Sequence, residues 1–235
     1  MDCKNALVEA EGNFDKAVEI LRKKGQKVAA KRADRNSSEG VSLAITNNSN
    51  EVGIGIVLAC ETDFVAKNDD FVKLAYEIAD IALNCKTKEE LLNSPFGNST
   101  VSEKLIEQTG VIGEKIQIND FSRIEANYVG TYIHAGNKIS SLVGFDKKVD
   151  NIEIVGKDIS MQIAAMNPIA LDKESVDPEL IKKEIEIAKD QLRTEGKPEE
   201  LIEKIAIGKL NRFFKDNTLI NQQFIKENKV SVAQY

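Results

Sequence analysis

The chain has 235 residues, 42% of them hydrophobic and 6% aromatic, which is enough to bury a core and to form two or three small units. Its net charge of -6 argues against general affinity for nucleic acid, whose phosphates call for clustered Lys and Arg, and its single histidine restricts acid–base chemistry. Three cysteines, Cys3, Cys60 and Cys85, are odd in number and lack CxxC spacing, so free thiols in a reducing cytoplasm are expected, with neither a disulfide nor a zinc site. No apolar run approaches the roughly 20 residues of a spanning helix, and no signal-peptide pattern opens the sequence. These features predict a soluble, cytoplasmic protein without a membrane partner.

Residues 1–25 read as two short helices. The first places Ala6, Leu7 and Ala10 on one side and is broken by Gly12-Asn13. Asn13 can cap the second, which carries Phe14, Ala17, Val18 and Leu21 and is expected to end at Gly25. Residues 22–35 hold Arg22, Lys23, Lys24, Lys27, Lys31, Arg32 and Arg35 against one acid, Asp34, and read as a solvated linker, with a partner-docking strip as the alternative.

Residues 41–60 have the pattern of a hairpin. Val41, Leu43 and Ile45 alternate, Asn47-Asn48-Ser49-Asn50 turns, and Val52, Ile54, Ile56 and Leu58 return with Gly53 and Gly55 between them. A tight connection with Phe64 near its tip follows. Phe71, Leu74, Ala75, Ile78, Ala79 and Ala82 then recur at helical spacing. A short helix fits Glu89 to Leu92, and Thr100 to Glu103 has capping-box spacing before a helix to about Thr109. Ile116, Ile118 and Ile124 suggest a third strand. From residue 128 the plan repeats: Val129, Thr131 and Ile133 alternate, Ala135-Gly136-Asn137 turns, residues 139–145 return, and a helix spans about 151–166. Pro178 opens a helix with a stripe of Leu180, Ile181, Ile185, Ala188 and Leu192. Glu195-Gly196-Lys197-Pro198 turns the chain into a second helix, making an antiparallel hairpin. The tail, with Phe224, Ile225, Val230 and Val232, stops at Tyr235 in what reads as an incipient helix. The fold class is therefore α+β: a helical module, two half-repeats of small antiparallel sheet plus helices, and an inserted helical hairpin.

No GxxxxGK[ST] loop is present, and His134 has no Cys or His neighbours with which to bind a metal and no nucleophile to serve. It reads as a surface turn residue. Asp63 can cap the following turn, and Phe64 can staple its loop onto the helix that begins near Phe71, or stand in solvent as a contact residue.

The nine residues Cys60-Glu61-Thr62-Asp63-Phe64-Val65-Ala66-Lys67-Asn68 closely resemble the signature of the translation elongation factor Ts family. Met1-Asp2-Cys3-Lys4-Asn5-Ala6-Leu7 resembles a second motif in that family's N-terminal module. The order of parts matches over essentially the whole chain. The resemblance implies a partial UBA-like module at 1–25, a linker at 26–40, one core half at 41–126, and an incomplete second half at 127–171 with 218–235. It also implies a helical hairpin at 172–217. It further implies a guanine nucleotide exchange factor for the GTPase elongation factor Tu, with the nucleotide held by the partner only, no cofactor and no catalytic residue of its own. Thr62, Asp63, Phe64 and Val65 would enter Tu near its magnesium and phosphate site. Asp2, Cys3 and Lys4 would dock on the GTPase domain, and His134 and Gly136 on another Tu domain. Family members usually begin earlier and continue past Tyr235, so a chain shortened at both ends is expected. A helical adaptor or an RNA-binding module without exchange activity are the competing classes; the latter would use the 22–35 basic run and lose affinity steeply with salt.

Overall fold

The computed structural model describes residues 2–235, so the Met1 of the second motif lies outside the described residues. The chain falls into two compact units, Met1–Lys157 and Asp158–Tyr235, and its fold is α+β. In the first unit, α1 (Asp2–Glu9) and α2 (Phe14–Arg32) are separated by Gly12 at φ 82°, and the Asn13 side chain accepts the Lys16 amide at 3.0 Å. Ala6, Ala10 and Ala17 are buried between the two helices.

Gly25 does not end α2. The helix runs on through it, and residues 26–32 of the predicted linker are helical. The reason is tertiary. Gly25 is buried where α2 crosses α6 (Val101–Ile112), and a Cβ built on Gly110 would lie 2.7 Å from the Gly25 Cα. The missing Cβ of Gly110 lets the backbones approach, and packing on α6 holds a segment that the low helix propensity of Gly25 alone would weaken.

Strands β1 (Glu39–Thr46), β2 (Val52–Cys60) and β5 (Gln117–Glu125) form an antiparallel sheet in the order β1-β2-β5. Ile54, Ile56 and Leu58 on one face of β2 are fully buried with Phe71, Leu74 and Ile78 of α4 (Asp69–Ala82). Burial of each such side chain contributes about 1.5–3 kcal/mol, which makes this the main core. Between β2 and α4 lies a single helical turn, α3 (Asp63–Ala66). α5 (Lys88–Asn93) and a small hairpin of β3 (Pro95–Phe96) and β4 (Ser99–Thr100) lead into α6, where Thr100 and Glu103 form the predicted capping box. Gly113, left-handed at φ 81°, terminates α6.

The second hairpin, β6 (Tyr128–Ile133) with β7 (Ser140–Phe145), packs against the other face of β2. Gly53 and Gly55 make room for it: a Cβ on Gly53 would meet Val129 Cγ1 at 2.5 Å, and one on Gly55 would meet Leu142 Cδ1 at 3.2 Å. α7 (Ile152–Met166) begins in this unit and ends in the second.

In the second unit, α8 (Pro178–Thr194) and α9 (Glu199–Asn217) form the antiparallel pair that the sequence predicts, closed by Ala188, Leu192, Ile202 and Ala206. Most of the tail is extended. After a 3-10 turn, Leu219–Asn221, it forms the hairpin β8 (Gln223–Phe224) and β9 (Glu227–Ser231), and only the last residues make one turn, with the Tyr235 amide on the Ser231 carbonyl at 3.1 Å. Buried Phe224 stacks on Tyr235 at 4.1 Å, while Asp158 accepts from Lys226 and from the Tyr235 hydroxyl. Those contacts favour an extended return over helix.

Candidate functional site

The segment leaving β2 is held at its base and free at its crest. Thr62 is extended and caps α3, its hydroxyl facing the Val65 amide at 3.5 Å, while the Ala66 amide bonds the Thr62 carbonyl at 3.2 Å. Ala66 is buried and Val65 packs on the main core, so the turn's apolar anchor points inward. Phe64 consequently points away, with 84% of its surface exposed. It does not staple the turn to α4. Asp63 is the first helical residue, with Thr62 rather than Asp63 as the cap.

Asp63 pairs with Lys67 one turn on, at 2.6 Å. That hydrogen bond, then the Lys67 charge, holds its carboxyl below the usual aspartate range, with Lys138 adding to the effect. The carboxylate is therefore ionised at neutral pH. Lys138 itself pairs with Glu39 at 2.9 Å and is raised chiefly by that bond. It follows the turn that contains His134 and Gly136, and the Asn137 carbonyl accepts the Ser42 amide at 2.7 Å, fixing that turn on β1. His134 Nδ1 lies 2.8 Å from the Tyr132 hydroxyl. The Asp63 turn and the predicted second contact loop are thus within electrostatic reach of each other.

Asp2, Cys3 and Lys4 are exposed on α1, and Asp2 pairs with Lys24 at 2.6 Å. Asp2 and Cys3 line a different surface, a groove of about 770 Å³ between the N-terminal helices and α6, with Leu21, Phe96 and Val111 among its walls.

The base of the Asp63 turn involves residues that sequence reasoning passed over. Glu114 Oε2 accepts the amides of Glu61 and Thr62, each at 3.0 Å, and Oε1 accepts the Thr62 hydroxyl at 2.6 Å. Glu61 in turn accepts the Lys115 amide at 2.7 Å and Arg32 Nη1 at 2.8 and 2.9 Å. The Lys115 amide first, and the Arg32 guanidinium second, hold the Glu61 carboxyl below the ordinary glutamate range. Arg32 is therefore engaged within the protein, not part of a free basic strip. Lys115 Nζ also reaches the Ala33 and Arg35 carbonyls beyond the end of α2. Beneath the turn, burial pushes the Cys60 thiol up to about 11, helped by the Glu114 charge. The only hint in the sequence was Glu61 inside the nine-residue motif; its partners lie far off in the chain and follow no period.

Among the described residues no group of three or more His, Cys, Asp or Glu could hold a metal ion, and no helix is long and apolar enough to cross a membrane. What the site offers is an exposed ring and an ionised carboxylate on a braced turn, suited to contact with another macromolecule.

The comparisons with known proteins agree with that motif. A family model described as Elongation factor TS matches residues 61–235. A protein of Christiangramia forsetii named Elongation factor Ts is 63% identical over 235 residues, covering all of this chain and 86% of the relative. One of Flavobacterium psychrophilum, with the same name, is 60% identical over 235 residues at the same coverage. One of Amoebophilus asiaticus, again so named, is 49% identical over 238 residues, covering all of this chain and 86% of the relative. With the family model matching most of the chain and relatives this similar along all of it, the chain belongs to the elongation factor Ts family.

Proposed function

We propose that this protein is a guanine nucleotide exchange factor for elongation factor Tu, promoting GDP release during translation elongation in the cytoplasm. The α3 turn enters Tu near its magnesium and phosphate site: Phe64 wedges between Tu side chains, and the Asp63 carboxylate disturbs the surroundings of the magnesium. Thr62 and Val65 set the turn. Nucleotide is bound by Tu alone, and the chain supplies neither a cofactor nor bond chemistry. Asp2, Cys3 and Lys4 make a second contact and His134 with Gly136 a third, with no direct role for nucleic acid or membrane.

One observation carries this reading: a phenyl ring 84% exposed on a turn whose base is hydrogen-bonded at several points. An isolated exposed ring is ordinary. A ring beside an ionised carboxylate, on a turn this well braced, is suited to insertion because little ordering is left to do on binding. Exchange then follows by linkage, since a factor that weakens GDP on Tu is weakened by GDP to the same extent.

The test is Phe64→Ala in a fluorescent-GDP release assay with Tu. Truncation removes about 1.5–3 kcal/mol of burial in the complex, or roughly ten- to a hundredfold in stimulated release. The thermal midpoint of the free protein should not move, because the ring buries almost nothing at home. An adaptor lacking exchange activity predicts no change in rate, and an RNA-binding module predicts association with RNA that collapses with added salt.

A further inference from the structure

A four-residue helical turn has no stability of its own, because nucleation fixes several dihedrals for one hydrogen bond. α3 must therefore be held by its surroundings, and the hydrogen bonds show how. Gly113 turns the chain sharply out of α6, and the next residue, Glu114, delivers its half-buried carboxylate to the foot of the Asp63 turn. Both oxygens are used: two amides on Oε2 and the Thr62 hydroxyl on Oε1. Hydrogen bonds to an ionised acceptor are stronger than neutral ones.

The Thr62 hydroxyl has one proton. Giving it to Glu114 leaves only lone pairs for the Val65 amide, so Glu114 orients the cap of α3 as well as the Glu61 and Thr62 amides that lead into it. Glu61, gripped by Arg32 and the Lys115 amide, is the second strut and prevents the segment from swinging about the first.

We propose that Glu114 is the positioning residue of the exchange site: it does not touch Tu, but fixes the Asp63–Phe64 turn in the orientation in which it enters the GTPase. This rests on the exchange reading above. It assigns the level of pre-organisation to one carboxylate outside the signature motif.

The experiment measures stimulated GDP release from Tu as a function of exchange-factor concentration for wild type, Glu114→Ala, Glu114→Gln, Phe64→Ala and the Glu114→Ala/Phe64→Ala double variant. Amide hydrogen exchange of the free proteins is recorded alongside. Glu114→Ala is expected to lower the plateau rate about tenfold, equivalent to about 1.4 kcal/mol, with the half-saturating concentration little changed. Glu114→Gln keeps the volume and one oxygen for the two amides, and should fall between wild type and Glu114→Ala. In the Phe64→Ala background, Glu114→Ala should cost clearly less than in the wild type, because only the Asp63 contribution of the turn is left to misplace. Amides of Glu61 and Thr62 should exchange faster in the free Glu114 variants.

A normal plateau for Glu114→Ala beside a slow Phe64→Ala overturns the positioning role. So does a double variant whose losses multiply, which would mark a merely structural effect. If Phe64→Ala itself releases GDP normally, the exchange reading falls instead, and unchanged amide exchange in Glu114→Ala would then remove the positioning claim independently of Tu.

Discussion

Glycine-to-alanine changes at two helical positions should have opposite signs. At Gly208, inside α9, a Cβ would meet nothing within 4 Å. Alanine there removes a helix-interior glycine at no steric cost and should stabilise by about 0.8–1 kcal/mol. At Gly110 the propensity gain is the same, but the new carbon would sit 2.7 Å from the Gly25 Cα, a backbone atom with no rotamer to yield. Overpacking of this kind costs about 1–3 kcal/mol, and with backbone on both sides the upper half of that range applies, leaving a net loss of about 1–2 kcal/mol.

Gly25→Ala is the milder control, since its Cβ would meet the Ile106 carbonyl at 3.4 Å, an ordinary contact. Guanidinium unfolding followed by far-UV circular dichroism, with amide exchange along α2 as the local probe, reads all three variants. The midpoint should rise for Gly208→Ala and fall for Gly110→Ala, with faster exchange in α2. Because α2 carries Arg32 to Glu61, Gly110→Ala should also loosen the foot of the Asp63 turn. A Gly110→Ala midpoint raised as far as that of Gly208→Ala would refute a glycine-dependent crossing of α2 on α6.

Two further outcomes follow from the charges and thiols at the site. Glu61 is more acidic in the native protein than in the unfolded chain, so its contribution is fully present above about pH 4.3, the ordinary glutamate value, and is lost as pH falls through its lower native value. Protection of the Lys115 amide should be flat from neutrality to about pH 5 and decline only below about pH 4; loss beginning near pH 6 would contradict this. A thiol reagent near neutral pH should modify Cys3 rapidly and leave Cys60 and Cys85 untouched until denaturant is added, because Cys3 is exposed, the other two are buried, and the Cys60 thiol is pushed up to about 11. Rapid native modification of Cys60 would show that the base of the turn opens.

Periodicity and punctuation in the sequence determined most of the local architecture. The alternation of Ile54, Ile56 and Leu58, the helical spacing from Phe71 to Ala82, the Thr100–Glu103 cap and Pro178 at the first helical position all became the elements they predict, because each is a short-range preference that packing then reinforced. The nine-residue motif was legible too, and with it the family. Tertiary structure alone decided the rest. Gly25 looked like a helix end, and only the crossing of α6 shows why the helix continues. The tail showed only an incipient helix at Tyr235, and the hairpin before it and the Phe224–Tyr235 stack appear only in the folded chain. Phe64 could have been staple or spike until Val65 and Ala66 were seen to take the inward positions. Arg32, Glu114 and Lys115 could not be joined to the turn from sequence, because a hydrogen bond between segments far apart in the chain leaves no period and no local composition to read; it exists only once the sheet and α6 have brought those segments to one place.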